Sequence, residues 1–311
     1  MVLPMKVISK RCSRSSLKFL KTKELSCPPG ITHSHSATGW GLHVAANTRE
    51  LLVWSSKDCN KAERYRHLLV GNLFRLEYLY MGINYLGGGI PASLSNCSRL
   101  LELDLFLNPL GRGVPSELGS LTNLVVLNFR DNNLKGKLPT SLGNLTSLIQ
   151  ASFGGNNMEG EIPADIARLS QMMILELSFN KFSGVIPPAI YNMSSLGILY
   201  MALNHFSGPL RPDFGILLPN LQELNMGRNY LTGSIPTTFS NISTLRKVAL
   251  NDNNLTGSIP TFRNVPNLQW LILSGNSLGS YSSGDLELIS SLTNCTQLEK
   301  LGIGGNRLGG E

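Results

Sequence analysis

The sequence is short of the residues that do chemistry. Charged side chains make up 15% of its 311 residues, against about 25% in an ordinary soluble domain. The five cysteines, Cys12, Cys27, Cys59, Cys97 and Cys295, include no C-x-x-C pair, which excludes a zinc knuckle or a thioredoxin-type site. An odd, scattered set is no disulfide framework either; Cys97 and Cys295 read as small buried hydrophobes. His33-x-His35 near Cys27 lacks the spacing and the second pair of a zinc site, and His205 reads as a solvated turn residue. No G-x-S-x-G elbow is present, and Gly302-Ile303-Gly304-Gly305 lacks the setting of a phosphate loop. We therefore expect no catalytic residue, no metal and no cofactor. No run approaches the roughly 18 apolar residues of a membrane helix, so no membrane contact is expected from this chain itself.

A net charge of +7 raises the question of nucleic acid. Residues 1–66 hold 12 Lys/Arg against 4 Asp/Glu, while residues 67–311 hold 15 against 16. The basicity therefore belongs to the N-terminal segment. The remainder lacks the clustered Lys/Arg of a phosphate-binding surface, so nucleic acid is not an expected partner. Met1 to Lys23 carries positive charge throughout, without the apolar stretch of a signal peptide.

What the sequence does have is a period. The pattern L-x-x-L-x-L-x-x-N places Asn at 84, 108, 132, 156, 180, 204, 229, 253, 276 and 306, and successive units are almost all 23–25 residues long. In the unit ending at Asn132, Leu127 and Phe129 alternate with Val126, Asn128 and Arg130, the period-2 signature of a short strand with one buried face. The Asn turns the chain, and its amide is suited to satisfying backbone groups that the turn exposes. Downstream comes L-x-G-x-[ILV]-P, as in Leu134-Lys135-Gly136-Lys137-Leu138-Pro139. There the Gly permits an unusual backbone conformation, and the Pro limits the next segment to a short helical turn.

One unit cannot bury its own leucines, but a stack can. The expected fold class is an α/β repeat solenoid. It resembles a plant-type leucine-rich-repeat arc, which implies a parallel sheet on the concave face and short helical or 3₁₀ turns on the convex face. Residues 67–311 form about ten repeats, and residues 1–66 form an atypical, poorly ordered segment with a degraded cap. Within that segment, Leu51 to Asn60 suggests an amphipathic helix followed by a loop. Between Asn276 and Asn306 about six additional residues intervene, and Asp285 to Leu292 reads as a longer convex helix. The last repeat breaks off at Glu311 before its Pro, so the chain reads as part of a longer gene product.

Over Leu68 to Glu311 the chain resembles the extracellular part of plant receptor-like serine/threonine kinases, in the group containing the receptor for bacterial elongation factor Tu. Segments that carry the likeness include Leu73-Phe74-Arg75-Leu76-Glu77-Tyr78-Leu79, Ser93-Leu94-Ser95-Asn96-Cys97-Ser98-Arg99-Leu100 and Asn294-Cys295-Thr296-Gln297-Leu298-Glu299. The resemblance implies a ligand-binding ectodomain on the extracellular side of the plasma membrane, active in pathogen perception and defence. It also implies a peptide or protein ligand and a co-receptor built of leucine-rich repeats. Family members carry a paired-cysteine cap, where this chain has Trp54 and Cys59 without a second cysteine. The membrane helix and the G-x-G-x-x-G-x-V and H-R-D motifs of the kinase do not occur.

Binding is expected on the residues that alternate with the buried leucines: Tyr78, Tyr80, Asp104, Phe106, Asn128, Arg130, Glu176, Tyr200, Asn225, Lys247 and Trp270. Glu102, Glu223, Asn251 and Lys300 share that face. Aromatic residues and Arg dominate interface energetics, although aromatics also favour strands for packing alone. Six sequons, at Asn96, Asn144, Asn192, Asn241, Asn254 and Asn294, are candidate glycosylation sites. Five of them share one repeat position, where Asn with Ser or Thr also suits a turn. A soluble repeat-protein inhibitor of a secreted enzyme and a decoy receptor-like protein are the alternative readings.

Overall fold

A computed structural model describes residues 42–44, 50–53 and 70–310, the last span with its side chains. The charged N-terminus, the expected Trp54/Cys59 cap and the expected loop after Val53 lie outside these residues.

The repeat appears as two sheets joined by tight turns. The first contains, among the described residues, twelve strands laid side by side in chain order. Ten are three-residue strands, from Tyr78–Tyr80 to Lys300–Gly302, and all ten pair in parallel without slippage. Leu79, Leu103, Leu127, Ala151, Leu175, Leu199, Leu224, Val248, Leu271 and Leu301 form one row across the sheet. From Leu79 to Leu271 that row is buried, at 0–2% exposure. Alternation therefore turns the first and third residue of each strand to the other face.

The sheet continues toward the N-terminus further than the repeat pattern does. Glu50–Val53 is a strand that pairs in parallel with Tyr78–Tyr80 and antiparallel with Leu42–Val44. The helix expected from Leu51 onward is thus corrected at its start. The segment lies beside the edge of Tyr78–Tyr80, and tertiary pairing there overrides the weak helical periodicity.

The asparagines form the expected ladder. Asn180 donates through Nδ2 to the carbonyls of Phe153 (3.0 Å), Leu177 (3.1 Å) and Ser178 (3.3 Å), and its Oδ1 accepts from the Met158 amide at 2.9 Å. From Asn108 to Asn306 each ladder Asn thereby ties the turn of its own repeat to the preceding one. The residue just before it has a left-handed backbone in most repeats, with φ between 52° and 57° for Ile83, Leu107, Asp131, Phe179, Leu203, Arg228 and Asp252. The ladder bonds over-determine a conformation that Ile, Leu and Phe resist.

After the Asn the chain enters a second parallel sheet, which the repeat pattern does not announce. Among the described residues its seven strands run from Lys135–Gly136 to Ser277–Leu278. Gly184, at φ +82°, shows what its glycine row provides, since an L side chain there is strained. Pro then opens a five-residue 3₁₀ turn, as Pro139 does for Thr140–Asn144, and the turn buries one apolar side chain, Leu142, against the core.

The insert before Asn306 folds as a 3₁₀ turn, Ser283–Leu286, running into an α-helix, Glu287–Leu292. Asp285 fixes it by accepting amides from Ser280, Ser282 and Gly309, each at 3.0 Å, and these hold its carboxyl down at about 2. Cys97 and Cys295 are buried free thiols that donate to main-chain carbonyls. His205 is exposed but lies on a strand of the second sheet, His205–Pro209, and stacks on Tyr230 at 5.8 Å. The turn expected there is corrected.

Candidate functional site

The outward face of the first sheet carries two straight rows. One runs Tyr78, Glu102, Val126, Gln150, Ile174, Ile198, Glu223, Lys247, Trp270, Lys300; the other begins Tyr80, Asp104, Asn128, Ser152, Glu176, Tyr200, Asn225. Phe106, Arg130 and Asn251 lie two residues beyond the ends of their strands, Glu102–Asp104, Val126–Asn128 and Lys247–Ala249. They extend the face as a third line rather than belonging to the strands.

The structure groups the expected residues into two clusters. Toward the N-terminal repeats, Tyr78 and Tyr80 stack at 6.4 Å, and the Tyr80 hydroxyl donates to Glu102 Oε2 at 2.6 Å. Asn128 Nδ2 donates to Asp104 Oδ2 at 3.0 Å. Toward the C-terminal repeats, the Tyr200 hydroxyl donates to Glu223, which also accepts from Lys247 Nζ at 2.8 Å. Lys247 and Lys300 lie 4.9 Å and 3.8 Å from the centre of the Trp270 ring, within cation–π range. Burial, and then the bond to Glu223, hold the Tyr200 hydroxyl far above its ordinary pKa, so it is a permanent donor.

Two expectations about this face need correction. Of the five aromatics, Tyr80 alone is exposed; Tyr78, Phe106, Tyr200 and Trp270 are half-buried, packed by their cross-strand neighbours. Glu176 is buried at 6% exposure. It folds down over Gly154, where a Cβ would come within 2.8 Å of Oε1, and burial raises its pKa.

Sequence reasoning also missed a structural duty. Asp104, Asn128, Glu176 and Asn225 each accept the amide two residues ahead, from Phe106 (2.8 Å), Arg130 (3.3 Å), Ser178 (2.7 Å) and Gly227 (3.2 Å). The signal was available: Asp and Asn readily bond backbone two residues on, and these residues recur at one repeat position. All six sequon asparagines are exposed. Asn96, Asn144 and Asn241 close 3₁₀ turns, away from the strand rows, while Asn254 opens a strand of the second sheet.

This geometry is what a family model for the Leucine Rich Repeat matches, over residues 123–145, 171–193 and 220–242. The chain is a leucine-rich-repeat solenoid. It is 68% identical over 102 residues to a probable LRR receptor-like serine/threonine-protein kinase of Arabidopsis thaliana, a match covering 33% of this chain and 10% of the relative. It is 56% identical over 103 residues, with the same coverage, to the LRR receptor-like serine/threonine-protein kinase EFR of the same plant. The chain thus spans about a tenth of the length of the curated relatives it matches, and the matches to these kinases lie in the repeats. Among solved structures, it superposes on the Arabidopsis receptor kinase HAESA, in complex with the peptide hormone IDA and the co-receptor SERK1. That match has a TM-score of 0.68 at 31% identity, covering 76% of this chain and 44% of HAESA. No described helix is long and apolar enough to cross a membrane.

Proposed function

We propose that this chain is the ligand-binding part of a plant receptor-like kinase, and that it holds a peptide or protein on the outward face of its first sheet. The observation that carries this reading is the division of labour along each strand. The central residue fills the core, and its two neighbours place Tyr, Trp, Lys, Glu and Asn in straight rows on the opposite face. The leucine row packs the core on one face of this sheet, so aromatic and charged side chains ordered on the other are available for recognition. HAESA, which shares the fold, is seen with a peptide hormone and a co-receptor, and we read a second leucine-rich-repeat partner here by analogy. The likeness to EFR favours a role in defence, at the extracellular side of the plasma membrane. Exposure of all six sequons is compatible with a glycosylated chain.

The test is a random-peptide display selection on the full chain, repeated on two variants. Peptides selected on the wild type should lose binding to Asn225→Arg/Trp270→Ala and keep binding to Arg168→Ala, which lies on a 3₁₀ turn. Selected peptides indifferent to the strand-face changes, or no selected peptides at all, would remove the reading.

A further inference from the structure

The second sheet carries an outward row that plays no part in the proposed peptide face. In three successive strands, His205–Pro209, Tyr230–Ser234 and Asn254–Gly257, the second residue is buried (Phe206, Leu231, Leu255) and the first is exposed. Those first residues are His205, Tyr230 and Asn254, and the register relates them identically. Ser207, two residues after His205, pairs with Tyr230; Thr232, two residues after Tyr230, pairs with Asn254. Tyr230 therefore stands to Asn254 as His205 stands to Tyr230. The earlier of these two relations is a ring stack, with centroids 5.8 Å apart and planes 22° from parallel. Tyr230 is nevertheless 57% exposed, because the next place in the row holds only an Asn.

A second observation falls on the same residue. Asn254 begins the sequon Asn254-Leu255-Thr256. Of the six sequons it alone starts in a strand of the second sheet; the other five close or follow short helical turns. The row thus sets an exposed aromatic stack one repeat away from an exposed Asn whose amide has the sequence context for a sugar.

We propose that Asn254 carries an N-linked glycan whose first N-acetylglucosamine lies on the open face of Tyr230, as the third plate of the His205–Tyr230 stack. The assignment rests on the reading that the chain is extracellular, because sequons are modified on the secretory route. The modification is a group transfer from a lipid-diphosphate-linked oligosaccharide. The bond from its anomeric carbon to the diphosphate oxygen breaks, Asn254 Nδ2 takes that carbon, and one amide proton ends on the released lipid diphosphate. Tyr230 suits the product. One side of the pyranose presents C–H bonds of partial positive charge, and the face of an aromatic ring is negative. The repeat supplies the placement, since the step that brings the phenol over the imidazole also brings a ring borne by Asn254 over the phenol.

The experiment secretes the full chain behind a heterologous leader from cells that make only high-mannose glycans, and endoglycosidase H trims each glycan to its first sugar. Glycopeptide mass spectrometry reads occupancy, and NMR with isotope-labelled N-acetylglucosamine reads the sugar C–H protons. Asn254 should be occupied, and its sugar protons should lie upfield of those at the other sequons through the ring current of Tyr230. Tyr230→Thr, which suits an exposed strand position, should return them to the positions of the others. Thr256→Ala removes the sequon and keeps Asn254. It should lower the thermal midpoint by about 2 °C more in the wild-type background than in Tyr230→Thr, the scale of one stacked ring contact. Sugar on other sequons with Asn254 bare, or an Asn254 sugar whose signals ignore Tyr230→Thr, would overturn the proposal and leave the extracellular reading standing. If none of the six sequons is modified, both fall.

Discussion

Replacing Asn180 by Ala tests whether the ladder holds the stack together, and its cost can be worked from the hydrogen bonds. The three carbonyls that accept from Asn180 Nδ2 do not become orphans. Phe153 O also accepts from Asn156, Leu177 O from Asn204, and Ser178 O from the Gly155 amide. Only the Met158 amide, which donates to Asn180 Oδ1, is left buried without a partner, since Met158 is itself at 0% exposure. One orphaned buried donor costs about 1–3 kcal/mol, and three shared bonds lost at about 0.5 kcal/mol each bring the total to roughly 2.5–4.5 kcal/mol. Asn306 makes the same set of bonds, to Leu273, Ile303 and Gly304 and from Leu278, but it is half-buried. Water can replace much of what Asn306→Ala removes, so we expect about 1 kcal/mol there. Urea unfolding followed by far-ultraviolet circular dichroism on the two variants reads the difference. If Asn180→Ala and Asn306→Ala shift the main transition equally, the ladder argument is wrong, because burial would not decide the cost.

The remaining predictions concern the core, the backbone and pH. Ala151 stands where the inward row otherwise has Leu or Val, beside a small apolar void lined by Leu127, Leu142, Leu148, Phe153 and Ile166; Ala151→Val should therefore raise the thermal midpoint, by up to about 1 kcal/mol of stability, and a lower midpoint would show the void to be unusable. Gly184→Ala should cost about 1–2 kcal/mol because of its positive φ, whereas Gly87→Ala, which meets nothing within 4 Å, should stay within about 0.5 kcal/mol of wild type; equal losses would refute the backbone argument. Burial raises the Glu176 pKa in the folded state, so its ionisation works against folding. That penalty is absent below the ordinary carboxylate pKa and complete once pH exceeds the raised one. Glu176→Gln should accordingly be more stable than wild type at neutral pH and indistinguishable from it in acid, as read by denaturation at both; a variant less stable at neutral pH would show the carboxylate to be structurally required.

The fold was legible because its determinants are local and repeated. Leu127, Asn132, Gly136 and Pro139 each do a job that their chemistry dictates, and the same job recurs every 24 residues or so. The second sheet escaped notice because its strands are short and contain glycine, so Lys181–Val185 reads as a turn although Phe182 is its buried residue. The strand Glu50–Val53 was missed for a different reason: it belongs to no repeat and owes its form to the edge of Tyr78–Tyr80. On the outward face of the first sheet, alternation correctly placed Tyr78, Tyr200, Lys247 and Trp270 on the strands, since direction along a strand is set by position. It could not show that Glu176 would fold down over Gly154, because that depends on a missing side chain one strand away. Nor could it separate Asp104 and Asn225 as recognition residues from Asp104 and Asn225 as acceptors for the next turn. Both duties select the same side-chain chemistry.

The unbroken register of the first sheet makes its outer surface a ruler. Every repeat advances the rows by one strand width, and the core residue beneath is indifferent to what its two neighbours display. Loss or duplication of one whole unit of 24 residues would preserve each ladder bond and each core contact while moving everything beyond it by a single division. On the proposed reading, recognition on such a surface is metric: partners are distinguished by the interval between their side chains as much as by the side chains themselves. New specificities can then arise by changing the count, with no new contact having to be invented.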